Sequence, residues 1–378
     1  MSDSIVISGS GLYHPEHIIT NEQLVEAYNG WATKFNTDNA AAIEAGDVEA
    51  KPFSSAEFIE KASGIKQRYA MFPDGILDID RMMPRVPKRP SEELSEMAEL
   101  GIKAAKQAME QAGKKPEDID LVICAVSTMQ RPWPALAVEI QKELGCKGYA
   151  FDMSVACSSA TFGASTAMDS VLSGMSKCAL VISPELTTPQ MNFRDRDSHF
   201  IFGDVATAMV IEKEATATSK HAFRVLDRKL MTEFSNNIRS NFGYLTRTDT
   251  NDDPARYMEP DQFFVQYGRK VFKELLPMVC NLIEGQLSAM GIGAADLKRM
   301  WLHQANINMN TFATKKLLGR EPEPDEAPIV LDEYANTASA GSVITFHKYK
   351  DDFKSGDKGI LCSFGAGYSV GSLILEKV

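Results

Sequence analysis

Two stretches of this 378-residue sequence repeat one another: AMEQAGKKPEDIDLVICAVST at 108–128 and QLSAMGIGAADLKRMWLHQAN at 286–306. They align without a gap, and Gly113 in the first falls opposite Gly291 in the second. Each copy has the pattern of a helix end, a glycine stop, a short loop and a buried strand. Such units also recur by chance in α/β proteins, so one internal similarity alone does not decide between chance and duplication.

A second internal similarity favours duplication. The stretch 202–214, FGDVATAMVIEKE, resembles the stretch 364–377, FGAGYSVGSLILEK. The two pairs of similar stretches come in the same order in both parts of the chain. Internal similarity of this kind indicates that one structural unit occurs twice. We therefore predict two halves, 1–214 and 215–378, with the boundary at the start of the small polar run ATATSK.

The alternation of short apolar runs with longer periodic segments predicts an α/β fold. Continuous apolar strands are typical of a sheet that helices cover on both faces. The predicted strands are Ile5–Ser8, Leu121–Val126, Ala179–Ser183, Ala208–Glu212, Met300–Leu302 and Gly359–Ser363. The predicted helices are Glu92–Ala112, Trp133–Leu144, Ala164–Ser173 and Val271–Met290. Two segments fit neither half and are predicted to be insertions: the polar residues 31–55, and residues 74–90 with three prolines and four cations.

Composition excludes several classes of protein. The net charge of −11 argues against a nucleic-acid binder with a broad basic face, and 44% hydrophobic residues exclude a disordered chain. The six cysteines are scattered without a C-x-x-C pair, as is typical of a reducing cytoplasm. Neither a leader-like start nor an apolar run of about 18 residues is present. We expect a cytoplasmic protein of enzyme size that binds neither nucleic acid nor membranes.

The segment FDMSVACSSATFGASTAMDSVLSG at 151–174 offers a candidate nucleophile. Cys157 follows a short apolar run, and the residues after it are almost all small, so other backbone can approach this helix closely. At a helix N-terminus, free amides and the helix dipole are expected to favour the thiolate. For the other five cysteines a structural role is the better interpretation.

Three further segments carry candidate chemistry. His303 ends an apolar strand in WLHQANIN, the placement expected of groups that face a ligand in α/β folds. Asn336 precedes a run of small residues in DEYANTASAGSV, where it could cap a helix, act on a substrate, or do both. The glycine turn in CSFGAGYSVGS at 362–372 can aim a backbone N–H at an oxyanion. We interpret the remaining histidines as ordinary surface or hydrogen-bonded residues.

Taken in order, the motifs DMSVACSS, IFGD, HQAN, YANTASAGS and SFGAG resemble the β-ketoacyl-ACP synthase III family of the thiolase superfamily. The resemblance covers essentially the whole chain. It implies a five-layer αβαβα fold of two duplicated halves, a homodimer, and an acyltransferase that needs no metal or redox cofactor. The substrates it implies are an acyl-CoA and malonyl-acyl carrier protein (malonyl-ACP).

The resemblance also implies roles for particular residues. Cys157 matches the nucleophile that accepts the acyl group, and the backbone N–H groups of Cys157 and Ala366 match the oxyanion hole. His303 and Asn336 match the pair that supports decarboxylation of malonyl-ACP and stabilises the resulting carbanion. The acyl group on Cys157 would then undergo a decarboxylative Claisen condensation to a 3-oxoacyl-ACP.

Several positions depart from the family pattern. Phe58 and Ala62 stand where the family has a Trp and an Arg that grip CoA, and Asn308 replaces a carrier-docking Arg. Phe58, Asn306 and Trp133 are the expected substrate contacts, although core packing is an equal alternative for Trp133. Compensating cations for docking the acidic carrier would be Arg81, Arg85, Lys88, Arg89, Lys315 and Lys316.

Other functions remain open at this point. One is the non-decarboxylating condensation of two acyl-CoAs, and others are HMG-CoA synthase or plant-type polyketide synthase activity, whose motifs differ. The order Cys157, His303, Asn336 also occurs in papain-like proteases, although their local cysteine signature is absent. A catalytically silent subunit is a further alternative. The two inserted segments resemble a branch of the family that uses medium-chain primers such as octanoyl-CoA.

Overall fold

The computed structural model describes residues 4–248 and 254–378, and within them it has thirteen strands and ten α-helices. The strands are β1 Ile5–Tyr13, β2 Ile18–Thr20, β3 Gln67–Tyr69, β4 Leu121–Ala125, β5 Tyr149–Met153, β6 Cys178–Glu185, β7 Val205–Lys213, β8 Phe223–Ser235, β9 Ile238–Arg239, β10 Val265–Gln266, β11 Arg299–Leu302, β12 Lys358–Gly365 and β13 Gly367–Lys377. The helices are α1 Asn21–Asp38, α2 Ala40–Ala45, α3 Ala56–Ser63, α4 Glu96–Ala112, α5 Leu136–Leu144, α6 Ser159–Ser173, α7 Gly268–Ala289, α8 Ile307–Leu318, α9 Leu331–Tyr334 and α10 Gly341–Lys348.

Hydrogen bonds link nine strands in the order β11-β12-β13-β8-β1-β7-β6-β4-β5. β4 runs parallel to β5 and β6, and β11 runs parallel to β12, whereas the other pairs are antiparallel. The two halves meet where β1 pairs with β8 through only two residue pairs, Val6 with Arg224 and Ile7 with Phe223. β1 thus lies near the middle of the sheet, with its first residue Ile5 opposite Lys213 of β7.

The helices divide into three layers around these strands. α4 and α5 share one buried cluster with β4 and β6, and α7 and α8 share another with β11 to β13. Between them, residues of α6 and α10 pack in a single cluster with strands of both halves. The predicted five-layer αβαβα fold is therefore confirmed.

Two glycines in β1 explain how closely α4 lies against the sheet. A Cβ atom on Gly9 would come within 2.3 Å of the Ala108 carbonyl oxygen, and one on Gly11 within 2.0 Å of the Ala104 oxygen. Only residues without a side chain fit at these two positions.

The repeat seen in the sequence has a counterpart in local structure. Gly113 and Gly291 both have left-handed φ angles, 67° and 71°, at the ends of α4 and α7. In the following turns Asp118 accepts a hydrogen bond from the Lys115 N–H at 2.8 Å, and Asp296 accepts one from the Gly293 N–H at 2.7 Å. The boundary after residue 214 stays a prediction; no strand or α-helix lies between Lys213 and Phe223.

The two predicted insertions are anchored to the rest of the chain. Much of 31–55 continues α1 and forms α2, with Trp31 packed against Tyr28. Residues 74–90 form no helix or strand, but Ile76 and Met82 are buried in the same cluster as Tyr28. Of the helices described, none combines the length and the apolar character needed to cross a lipid bilayer.

Candidate active site

Cys157 lies in a short 3-10 turn, Ala156–Ser158, that leads from β5 into α6. The end of β12 approaches it so closely that a Cβ atom on Gly365 would lie 2.9 Å from the Cys157 Sγ. The backbone N–H groups of Ala366 and of Cys157 itself donate toward this sulfur. The two amides expected to form an oxyanion hole therefore converge on the predicted nucleophile, although that role stays a prediction.

The expectation that the thiolate is favoured at Cys157 was wrong. Burial, followed by the negative charge of Glu185, raises the pKa of the Cys157 thiol to about 12, and the two backbone donors only partly oppose this. α6 begins at Ser159, so Cys157 precedes the helix; its side chain is half-buried and lies within range of the Glu185 charge. At pH 7 the resting group is a thiol.

His303 directly follows β11 and is 2% exposed. Its backbone N–H donates to the Cys362 carbonyl at 2.8 Å, and its ring meets the Phe364 ring edge-on with centroids 5.2 Å apart. Burial lowers the pKa of His303 to about 4, with a backbone hydrogen bond to Ala338 acting in the opposite direction. The imidazole is therefore neutral at pH 7 and can donate one hydrogen bond without carrying charge.

Asn336 is held by backbone on both sides. Its N–H donates to the Ile201 carbonyl at 2.9 Å, and its carbonyl accepts from the Gly203 N–H at 3.1 Å. Its side-chain Oδ1 accepts from the Ala338 N–H at 2.9 Å, while no described residue accepts from Nδ2. The side chain thus caps the turn 338–340 and still presents its amino group, so the two interpretations of Asn336 are compatible.

Backbone strain is concentrated at these residues. Among the described residues other than glycine, four have positive φ: Met82, Ala156, Ala335 and Ala338. Ala156 precedes Cys157, and the other two alanines flank Asn336. Ala335, with φ 59° and ψ −160°, occupies a region that is almost restricted to glycine. Such conformations persist only where the surrounding structure imposes them, and they gather at functional sites.

A cavity of about 510 Å³ reaches the site from the surface. Of the three predicted catalytic residues Asn336 lines it, and its walls include Phe58, Phe200 and Asn306. The exposed cations Arg269 and Lys273 of α7 also line it. Sequence reasoning missed both; their spacing of four places them on one helix face, which was the available signal.

Similarity to known proteins was found along nearly the whole chain. Residues 151–233 match the model of 3-oxoacyl-[acyl-carrier-protein (ACP)] synthase III, and residues 287–377 match its C-terminal model. The chain is 52% identical over 353 residues to the beta-ketodecanoyl-[acyl-carrier-protein] synthase of Pseudomonas aeruginosa, covering 93% of this chain and 100% of that protein. It belongs to the 3-oxoacyl-ACP synthase III family.

More distant relatives agree with this assignment. The beta-ketoacyl-[acyl-carrier-protein] synthase III of Rhizobium meliloti is 31% identical over 333 residues, 87% of this chain and 93% of the relative. The crystal structure of 3-oxoacyl-[acyl-carrier-protein] synthase III from Aquifex aeolicus VF5 superposes with a TM-score of 0.73 at 23% identity, covering 98% of this chain and 99% of that one. Membership in this family of condensing acyltransferases rules out the papain-like protease.

The expected substrate contacts of this chain differ in their surroundings. Phe58 lines the cavity, and the Arg196 guanidinium lies 3.9 Å from its ring centroid. Asn306 also lines the cavity, but its Oδ1 accepts from the Asn308 N–H at 2.8 Å and its Nδ2 donates to the Ala62 carbonyl at 2.6 Å. Both polar ends of Asn306 are therefore engaged in capping α8 and joining it to α3.

Trp133 is 80% exposed, so the core-packing alternative for it was wrong. It stands three residues before α5, whose first two N–H groups, at Leu136 and Ala137, are capped by Asp152 of the edge strand β5. The expectation that Trp133 borders an acyl pocket across a dimer interface stays a prediction.

The cations expected to dock a carrier do not line the cavity. Arg85 pairs with Asp78 at 2.7 Å, Arg89 with Glu99 at 2.9 Å, and Lys315 with Glu321. Arg81 donates to the backbone carbonyls of Met83 and Pro84, while Lys88 and Lys316 form no ion pair with a described residue. As for a metal site, no cluster of three His, Cys, Asp or Glu side chains occurs in the part of the chain that the structure describes.

Proposed function

We propose that this chain transfers a medium-chain acyl group, octanoyl in particular, from acyl-CoA to Cys157 and condenses it with malonyl-ACP. The observation that carries the proposal is the pairing of a nucleophile facing two backbone N–H groups with a neutral His303 and a free Asn336 amino group. A relative named for beta-ketodecanoyl-ACP supports the chain length, because an eight-carbon primer gains two carbons from malonyl.

The first half-reaction is acyl transfer. The Cys157 sulfur attacks the thioester carbonyl, its proton leaves with the CoA sulfur, and the C–S bond to CoA breaks. The N–H groups of Cys157 and Ala366 stabilise the oxyanion of the tetrahedral intermediate. Because the resting thiol must lose its proton, acyl transfer is expected to become faster as the pH rises toward the pKa of Cys157.

The second half-reaction is condensation. Malonyl-ACP loses CO₂, and the electron pair of the broken C–C bond forms an enolate whose oxygen accepts hydrogen bonds from His303 and Asn336. The enolate carbon attacks the acyl-Cys157 thioester, the Cys157 sulfur leaves, and the product is a 3-oxoacyl-ACP for fatty acid biosynthesis. Both donors are neutral and already in place, so little reorganisation is needed when the charge develops.

The test is a primer-length series of acyl-CoAs, each followed by malonyl-ACP with a radiolabelled carboxyl group. Intact-protein mass spectrometry is expected to show the acyl group on Cys157, with a maximum near octanoyl, and labelled CO₂ release should follow. Joining of two acyl-CoAs without CO₂ release would instead establish the non-decarboxylating reaction.

We infer that the carrier docks at the open end of the cavity. Arg269 and Lys273 are exposed there and form no ion pair with any described residue, so both are free to meet the phosphate of the carrier's pantetheine arm. The insertion cations are less suited, since Asp78 and Glu99 already neutralise Arg85 and Arg89.

Charge reversal of Arg269 and Lys273 is expected to raise KM for malonyl-ACP about tenfold or more at low salt. Two attractions to an acidic carrier become repulsions, and exposed charges interact only within about 8–10 Å at physiological ionic strength, so the effect should shrink as salt is added. Steady-state kinetics at two salt concentrations measures both effects. The matched control reverses Arg85 and Lys88; a larger rise in KM from the control would place docking on the insertion instead.

We also infer that the chain forms a homodimer through β5. This strand ends the nine-stranded order and offers an unpaired edge. Apolar side chains cluster at this edge: Trp133, Val138, Tyr149, Leu172 and Met175 are 37% to 80% exposed. The Tyr149 hydroxyl lies 3.3 Å from the Ser170 hydroxyl, which places the end of α6 at the same edge.

Trp133→Ala is expected to weaken this dimer and to shift the preferred primer toward longer chains. The shift should be graded, since each buried methylene contributes only about 0.8 kcal/mol. Light scattering measures the dimer and the primer-length series measures the shift. Met175→Ala, at the same edge but just after the end of α6, is the control that should weaken the dimer without altering primer choice. A dimer and primer profile both unchanged by Trp133→Ala would contradict the inference.

A further inference from the structure

A buried carboxylate, Glu185, lies behind the catalytic residues and takes no part in the chemistry described above. It is the last residue of β6 and is 1% exposed. No described cation forms an ion pair with it, and two serines supply its hydrogen bonds instead. Burying a carboxylate without a counter-ion is unfavourable, so the retention of this one calls for a physical reason.

The donors to Glu185 come from both halves of the chain. After β4, Ser127 donates its N–H to Oε1 at 2.9 Å and its hydroxyl to Oε2 at 2.5 Å. From the turn 338–340, the fully buried Ser339 donates its N–H to Oε1 at 3.3 Å and its hydroxyl to the same oxygen. Glu185 therefore ties the ends of β4 and β6 to a turn in the other half.

That turn carries the contacts that orient the other two catalytic side chains. The Ala338 N–H donates to Asn336 Oδ1 at 2.9 Å, and the Ala338 backbone lies near enough to the His303 ring to raise its pKa against the effect of burial. Ala338 has a φ of 49°, which alanine does not adopt without an external restraint. Ser339, the next residue, donates two hydrogen bonds to the Glu185 carboxylate.

We propose that Glu185 is a positioning residue of the condensing site: through Ser339 its carboxylate fixes the turn that holds the Asn336 amide beside the His303 ring. Both groups must reach one enolate oxygen, and a misplacement of an ångström in such a donor pair lowers the rate strongly. The inference rests on the decarboxylative condensation proposed above and adds a residue to it.

Glu185 also acts on the nucleophile by its charge. Among the causes that raise the pKa of Cys157 it comes second only to burial. Burial raises the pKa of Glu185 itself to about 7, against the effect of the serine donors, so the carboxylate is charged above neutral pH. His303, the other titratable group at the turn, is neutral there. Removing the charge of Glu185 should therefore lower the pKa of the Cys157 thiol, and this change can be measured without any condensation taking place.

Glu185→Gln keeps the shape of the side chain but removes its charge. For release of labelled CO₂ from malonyl-ACP, kcat should fall about tenfold or more while KM stays unchanged, because the hydrogen bonds from Ser339 are no longer strengthened by the carboxylate charge. Ser339→Ala should show the same split between kcat and KM. Ser372→Ala is the matched control: it removes an equally buried hydroxyl that donates to Gln286 rather than to Glu185, and kcat should stay close to that of the unmodified chain.

The second readout is alkylation of Cys157 by iodoacetamide across pH 7 to 10, followed by mass spectrometry of the peptide. In Glu185→Gln the rate profile should shift to lower pH, since removal of a neighbouring negative charge favours the thiolate. In Ser339→Ala, which keeps the carboxylate, the profile should not shift in that direction. Acylation by octanoyl-CoA should persist in both variants.

The outcomes separate this inference from the proposed function. Wild-type kcat for CO₂ release in Glu185→Gln would overturn the positioning role while leaving the condensation intact. A fall in kcat without any shift of the alkylation profile would indicate general damage and would also overturn it. If Glu185→Gln does not fold, wild-type kcat in Ser339→Ala overturns it. An unmodified chain that acylates Cys157 but never releases CO₂ would reject the proposed function, and this inference with it.

Discussion

Cys157→Ala is expected to abolish acyl transfer from acyl-CoA and, with it, formation of the 3-oxoacyl product. In the proposed reaction the acyl group becomes attached to this sulfur, toward which the N–H groups of Cys157 and Ala366 donate. Removal of an enzyme's nucleophile commonly lowers the rate by about 10⁴-fold or more. Some decarboxylation of malonyl-ACP should survive, because His303 and Asn336 remain in place. Mass spectrometry and labelled CO₂ release measure the two half-reactions separately.

The matched control for this variant is Cys146→Ala. Cys146 is also half-buried, and burial likewise raises the pKa of its thiol, to about 11, but it lies outside the site. This variant should acylate and condense normally. If Cys157→Ala still acquired an acyl group on the protein, the assignment of the nucleophile would fail.

His303→Ala and Asn336→Ala are each expected to lower decarboxylation by about 10²–10³-fold, the usual effect of removing one oxyanion donor. The double variant should be scarcely worse than either single one, because donors to one oxygen act as a unit. Acylation of Cys157 should continue in all three, since neither side chain supplies the oxyanion hole of that step. Labelled CO₂ release measures the loss, and mass spectrometry of the acyl-enzyme shows what is retained.

The control for the histidine is His17→Ala, at an exposed position near the start of β2. It should leave both half-reactions unchanged. If Asn336→Ala decarboxylated malonyl-ACP normally but failed to acylate, the roles assigned to the two half-reactions would be reversed.

The residues of the site could be read from local patterns, whereas their electrostatics could not. Cys157 and His303 each follow a recognisable apolar strand, so their placement was predictable. The raised pKa of Cys157 comes first from burial and then from the charge of Glu185, which is remote in sequence and reaches the site only when β6 and the turn 338–340 meet. A helix N-terminus alone therefore suggested the wrong direction for this pKa.

The same limit explains what sequence patterns missed in the fold. The six predicted strands match β1, β4, β6, β7, β11 and β12, whose residues are almost all buried. The thirteen-residue strand β8 was not predicted, because most of it is not buried and its sequence, with many polar residues, contains no clear apolar run. Likewise Arg85 and Arg89 look like free cations until folding brings Asp78 and Glu99 beside them.

The central place of β1 has a consequence for how the chain is made. Its neighbours are β7 and β8, more than 190 residues later, so β1 cannot complete its pairing until over half of the chain has left the ribosome. At about 5–20 residues per second this leaves β1 unpaired for roughly 10–40 s. Its two hydrogen-bonding edges stay open throughout that time, which makes the nascent first half prone to wrong pairing and a client for chaperones.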